Sequence, residues 1–111
     1  MAISWKEMVS GAVLASSASI AYTAPPGTSA SIQAVSVYNP SALPVTFVLF
    51  RVPLNGDATD ANRICSRVVP AGGIIQGHEA INHKLEPGTR IMASGLGLSL
   101  NISGVEYVQT T

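Results

Sequence analysis

Apolar and polar residues alternate in short runs along most of the chain, and turn-forming residues separate the runs. The pattern is cleanest near the end, where Leu98, Leu100 and Ile102 fall on one side of an extended backbone and Ser99, Asn101 and Ser103 on the other. This predicts a strand with one dry face. Val105 and Tyr107 stand an odd number of residues beyond Ile102, so the alternation slips, and Gly104 at the slip predicts a β-bulge there. Across Val45 to Val52 both alternating sets are apolar apart from Thr46 and Arg51. That predicts a strand covered on both faces or seated at a subunit contact.

The runs after Tyr22 are Ser29 to Tyr38, Val45 to Val52, Asn62 to Val69, a weak one near Ile81 to Leu85, Thr89 to Ser94, and Leu98 to Val108. Between them lie Pro25-Pro26-Gly27, Asn39-Pro40-Ser41, Asn55-Gly56-Asp57, Pro70-Ala71-Gly72-Gly73, Glu86-Pro87-Gly88 and Gly95-Leu96-Gly97. Each carries Pro to preset φ, Gly for positive φ, or Asn/Asp to bond its own backbone. No amphipathic helical stretch stands out after Tyr22. Two opposed sheets are the simplest way to bury such strands, so the predicted fold class is all-β: an antiparallel β-sandwich, jelly-roll-like, with an extended N-terminal arm.

The arm is residues 1–21, and the sandwich domain 22–111. Ala, Ser and Gly dominate Met1 to Tyr22 and supply little side-chain area, so this segment is expected to order against a neighbouring subunit. A first strand of the same domain is the alternative reading. Trp5, Met8, Val13, Leu14 and Ile20 are its candidate anchors. A signal peptide fits poorly, because Glu7 cancels Lys6 and Ser10-Gly11 interrupts the apolar stretch. No run approaches the ~18 apolar residues of a membrane span, so no membrane partner is expected.

Charge sharpens this picture. Six Lys and Arg balance six Asp and Glu, and only 11% of the 111 residues are charged, against roughly 25% in an average globular protein. Mean hydropathy is +0.36. So few charges imply a surface covered by neighbours in a homo-oligomer or larger assembly, and Phe47 and Phe50 join the arm residues as interface candidates. With no basic cluster, a nucleic-acid partner is not expected.

Reactive side chains are sparse. His78, Glu79 and His83 form the one dense group, but a helical zinc pair needs its second His four residues after the first, and Asn82 holds that place. Cys65, the single cysteine, lies between Arg63 and Arg67, whose charges would lower a thiol pKa, yet a small buried thiol in a strand is the ordinary outcome. Asp57 and Asp60 are too few carboxylates for a calcium loop, and Gly72-Gly73 and Gly95-Leu96-Gly97 lack the helix and Lys of a phosphate cradle. The expectation is a non-enzyme with no catalytic residues, cofactor or metal.

The ordered series Tyr22-Thr23-Ala24-Pro25-Pro26-Gly27-Thr28, Ile32 to Asn39, Val69 to Gly73, Leu85 to Ile91 and Ile102 to Glu106 resembles small all-β virion proteins of tailed bacteriophages, including capsid decoration or cement proteins and related head and tail components. The resemblance covers about residues 20–108. It implies location in the phage virion and a homo-oligomer that binds the major capsid protein or another virion protein, bridging shell subunits. A neck, tail or fibre-associated protein is the alternative within that class. A secreted carbohydrate-binding module, using Trp5, Tyr22, Tyr38 or Tyr107 as ring platforms, is the alternative outside it.

Overall fold

The computed structural model describes residues 2–108. The strands are β1 (Ala2–Val13), β2 (Ser19–Thr23), β3 (Thr28–Tyr38), β4 (Val45–Val52), β5 (Arg63–Val69), β6 (Ile74–Gln76), β7 (Lys84–Leu85), β8 (Arg90–Ser94) and β9 (Ser99–Val108). All ladders are antiparallel. One sheet runs β1-β9-β3-β6, with β7 on the same flank of β3 as β6; the other runs β2-β8-β4-β5. Taken as one interrupted strand, β6 and β7 complete four strands per sheet, and the chain crosses between the sheets in the manner of a jelly roll. The expected runs after Tyr22 correspond to β3, β4, β5, β7, β8 and β9, with the weak Ile81 to Leu85 run reduced to Lys84–Leu85, whereas β6 lies in none of them.

The sheets enclose one apolar core. Ile32, Val35 and Val37 of β3 and Leu100 and Ile102 of β9 meet Phe47 and Leu49 of β4, Val69 of β5, and Ile91 and Ala93 of β8. Polar contacts join the sheets around the rim. The Tyr22 hydroxyl donates to Glu106 at 2.5 Å, Arg51 donates to the Lys84 carbonyl at 3.1 Å, and Arg67 makes a two-pronged pair with Glu79 at 2.7–3.0 Å. Asn39 is fully buried in the turn before β4. Its amide donates to the Leu43 and Val69 carbonyls, and its oxygen accepts from the Ser41 backbone and hydroxyl.

Two expectations change. Residues 2–13 are the outer strand of the first sheet, paired with β9 from Ala2↔Val108 to Val13↔Ser99, rather than an arm clear of the sandwich. Small side chains do not prevent this, because ladder hydrogen bonds and β9 as a template hold the strand in place. The bulge also moves. β9 runs without an extra residue; Met8 in β1 and Gln33 in β3 are the extra residues opposite Ile102–Gly104, and β1 has a second one at Ser10–Gly11, opposite Asn101. Gly104 faces inward, where a Cβ would collide with the Ser31 carbonyl and stand 2.7 Å from the Met8 methyl. Val105 and Tyr107 therefore point outward, away from the core face of Leu100 and Ile102.

β4 is covered on both faces within the chain. Phe47 and Leu49 lie in the main core, whereas Val48, Phe50 and Val52 form a second cluster under Ala18, Ala58 and Met92. The loop after β4 supplies part of that cover, so no neighbouring subunit is needed to shelter these side chains.

Candidate interaction surface

Burial divides the interface candidates. Met8, Leu14, Phe47 and Phe50 are 0–7% exposed and belong to the packed interior. They are withdrawn as contact residues, since a neighbour cannot reach them. Trp5, Val13 and Ile20 are 83%, 73% and 55% exposed. Within β1 simple alternation does set Trp5 and Val13 apart from Met8, because two register shifts cancel between Trp5 and Val13; Val9, turned inward between those shifts, is the residue that alternation misplaces.

Cross-strand partners share a face of the sheet, so the ladder registers place the exposed residues. Ile3 is opposite Tyr107, and Trp5 is opposite Val105, which is opposite Ser31. This row forms an apolar patch at one end of the outer face, with Val105 covered between its neighbours. At the other end Val13, Ser99, Tyr38 and Ile74 line up across β1, β9, β3 and β6. Three of these four are large and exposed. Between the ends lie Ser103, Ala34, Asn101 and Ser36, small and uncharged, with Glu7 beside them on β1. Ile3 and Ile74 were not anticipated as surface residues, and Tyr38 only as a ring platform; alternation of Ile3 with Trp5 is the signal that marks the first of them.

Among the described residues the reactive groups named above lie apart, except for Cys65, Arg67 and Glu79. Glu79 sits in the short 3-10 turn His78–Ala80, and its ion pair with Arg67 holds its carboxyl below the ordinary value. His78 is exposed and His83 half-buried. Among the described residues no three His, Cys, Asp or Glu side chains gather as a metal would require. Cys65 is 4% exposed, and burial together with the nearby Glu79 carboxylate pushes its thiol up to about 11. The opposing pull of Arg67 is outweighed, so the thiol is protonated near neutral pH. Asp60 pairs with Arg63 at 3.0 Å on the surface. Tyr22 is buried and unavailable as a sugar platform.

A cleft of about 330 Å³ opens at the rim between Arg51, Pro53, Asn62, Lys84, Glu86 and Thr89. Both cations there are already engaged, Arg51 with the Lys84 carbonyl and Lys84 with the Ser31 hydroxyl at 3.2 Å. Its walls carry one carboxylate and neither imidazole nor thiol.

No protein-family model and no curated relative matches the chain. Among solved structures, a chain from the disulfide-linked pili of Bacillus endospore appendages superimposes with a TM-score of 0.55 at 16% identity, covering 97% of this chain and 89% of that one. A chain of the infectious bursal disease virus Gx strain gives 0.49 at 11% identity, over 96% of this chain and 32% of that one. VP2 from a subviral particle of infectious bursal disease virus gives 0.41 at 10% identity, over 97% and 33%. This chain thus spans about a third of either viral chain. What the pilus likeness shows is a shared all-β fold.

Proposed function

We propose that this chain is a non-enzymatic structural component of an assembled particle, and specifically a phage capsid decoration or cement protein that bridges neighbouring shell subunits. One observation carries the reading: a charge-poor sandwich displays large apolar side chains in two rows on the outer face of one sheet, with small uncharged residues between. Single exposed apolar residues are ordinary on a protein surface, but contiguous ones mark contacts. Covering one large apolar side chain is worth roughly 1.5–3 kcal/mol. Each patch then supports only a weak contact, and a decoration protein gains strength because many copies act on one shell.

The work such a protein performs is mechanical. When it binds the assembled shell and not the separated subunits, its binding free energy adds to the free energy of pulling them apart. The pilus subunit with this fold is a precedent for assembly on the same scaffold, but linkage through a disulfide does not suit this chain, whose one cysteine is buried. The partners proposed are copies of itself and the major capsid protein or another virion protein.

Immunogold labelling of particles from the source virus tests this. Regular label over the shell, lost together with shell resistance to heating when the protein is omitted, is the expected result. Label confined to the neck, tail or fibres would move the protein to that station. Particles free of label would overturn the structural reading.

A further inference from the structure

The sheet edges are unequal. The β6-β7 flank consists of strands of three and two residues, with the 3-10 turn His78–Ala80 between them. On the second sheet, β2 has five residues, and β5 carries Arg63 and Arg67, both held in ion pairs. Short strands and charged side chains are how proteins keep an edge from pairing. β1 has less such protection in its first half, where Lys6 and Glu7 are the charged residues and the bulges lie beyond them. From Ala2 to Glu7 its residues are all exposed, contain no Pro, and pair with β9 in unbroken register from Val108 to Ser103. No strand pairs with its far side among the described residues. The outward-directed N–H and C=O groups of that stretch form a template for another strand.

We infer that the occupant is a second copy of this chain, with Ala2–Lys6 of the two copies pairing antiparallel about a two-fold axis through Ser4. Two identical edge strands that pair antiparallel are related by a two-fold axis perpendicular to the sheet, which keeps outer face with outer face. The side chains then select the register. Centred on Ser4, Ile3 of each copy is opposite Trp5 of the other, and Ala2 is opposite Lys6. Centred on Trp5, the two indoles face each other but both Ile3 side chains are set against Glu7 carboxylates, so one apolar pair is formed where the Ser4 register forms two; centred on Lys6, two ammonium groups face each other directly, which is unfavourable. Centred on Ile3, only Ala2 to Ser4 pair among the described residues, two fewer than in the register centred on Ser4.

The result is one continuous sheet across two sandwiches, with a shared apolar patch made from Trp5 and Ile3 of both copies. It buries on the order of 800 Å², below the ~1,200 Å² of a stable stand-alone complex. The pairing is therefore weak in dilute solution and is strengthened where other contacts hold the copies together. The inference deepens the assembly reading above but is measured on the isolated chain. A failure here leaves the particle role standing.

The test is S4C in the full chain. Opposed Cα atoms in this register stand about 4.5–5.5 Å apart, within disulfide range, and Cys65 is buried and does not compete. Under mild oxidant, S4C is expected to form covalent dimers about tenfold faster than E7C, and I3K added to S4C should remove most of that advantage. The unmodified chain gives an independent readout. Trp5 is the sole tryptophan, so its emission should shift to the blue as concentration rises, and should not do so in I3K. Equal cross-linking of S4C and E7C, together with concentration-independent emission, would overturn the inference. Capture of the β1 edge by a strand of another protein, with no self-cross-link on the particle, would overturn it too.

Discussion

G104A should be among the most damaging single-methyl additions in this protein. The backbone of Gly104 is not in the positive-φ region, so the cost comes from space and not from conformation. A methyl group there runs into the Ser31 carbonyl and to within 2.7 Å of the Met8 methyl. Met8 is flexible, but Ser31 lies in β3 between β9 and β7, paired with Val105 on one side and Lys84 on the other. Relief requires that two ladders open. Overpacking of this kind costs about 3 kcal/mol, which for a chain of this size lowers Tm by roughly 10–15 °C. G97A supplies the contrast: no atom lies within 4 Å of its added Cβ, and its φ of +80° restricts the cost to backbone strain of about 1 kcal/mol. Urea unfolding followed by far-UV circular dichroism is the assay. Trp5 fluorescence is a poor alternative, because an 83% exposed ring hardly changes surroundings on unfolding. M8A/G104A should not recover G104A, since the carbonyl contact persists. A G104A midpoint equal to that of G97A would refute the reasoning.

Other outcomes follow from single contacts. N39A removes the side-chain amide that donates to the Val69 carbonyl and one of the two donors to the Leu43 carbonyl, which keeps the Ser41 hydroxyl, and should cost about 2 kcal/mol in the same denaturant assay. Cys65 should react with a thiol reagent at pH 8 only as fast as the fold opens, because it is both buried and protonated; urea should raise the rate to that of a free thiol. Glu79 has a folded-state pKa held below its unfolded value by Arg67, so the stability it contributes is complete above the unfolded value and disappears as pH falls through the folded one. E79Q should flatten that part of the acid limb of stability against pH. The pair is exposed, so the effect should also shrink in high salt.

The strands after Tyr22 were legible because turn residues punctuate them and because each buries a regular side-chain set. β4 announced its double cover through apolar residues at both alternating sets; the sequence left open whether the cover came from a neighbour, and Ala18, Ala58 and Met92 supply it from within. β1 was obscured by its composition. Its tie to the fold is mostly backbone pairing with β9, which leaves no side-chain signature. The bulge was misplaced for a related reason: a slip in alternation on one strand does not reveal which strand of the ladder holds the extra residue, and here the neighbours of β9 hold it, at Met8 and Gln33. Val9 shows what those registers add: alternation with Trp5 puts it outside, and the extra residue at Met8 turns it into the core. Trp5 and Met8 look alike as apolar residues among small ones, yet one is 83% and the other 7% exposed.

The notch between β6 and β7 has a consequence for growth. A sandwich whose two flanks both accepted strands would add copies without limit and form ribbons. Here the second flank of the first sheet is broken by the turn at His78–Ala80, which donates through Asn82 to the Ile32 carbonyl and through Gly77 to the Val35 carbonyl. With those groups turned inward to β3, the flank offers outward pairing groups only along the short strands β6 and β7, so growth of the first sheet through the proposed β1 contact would halt at the pair.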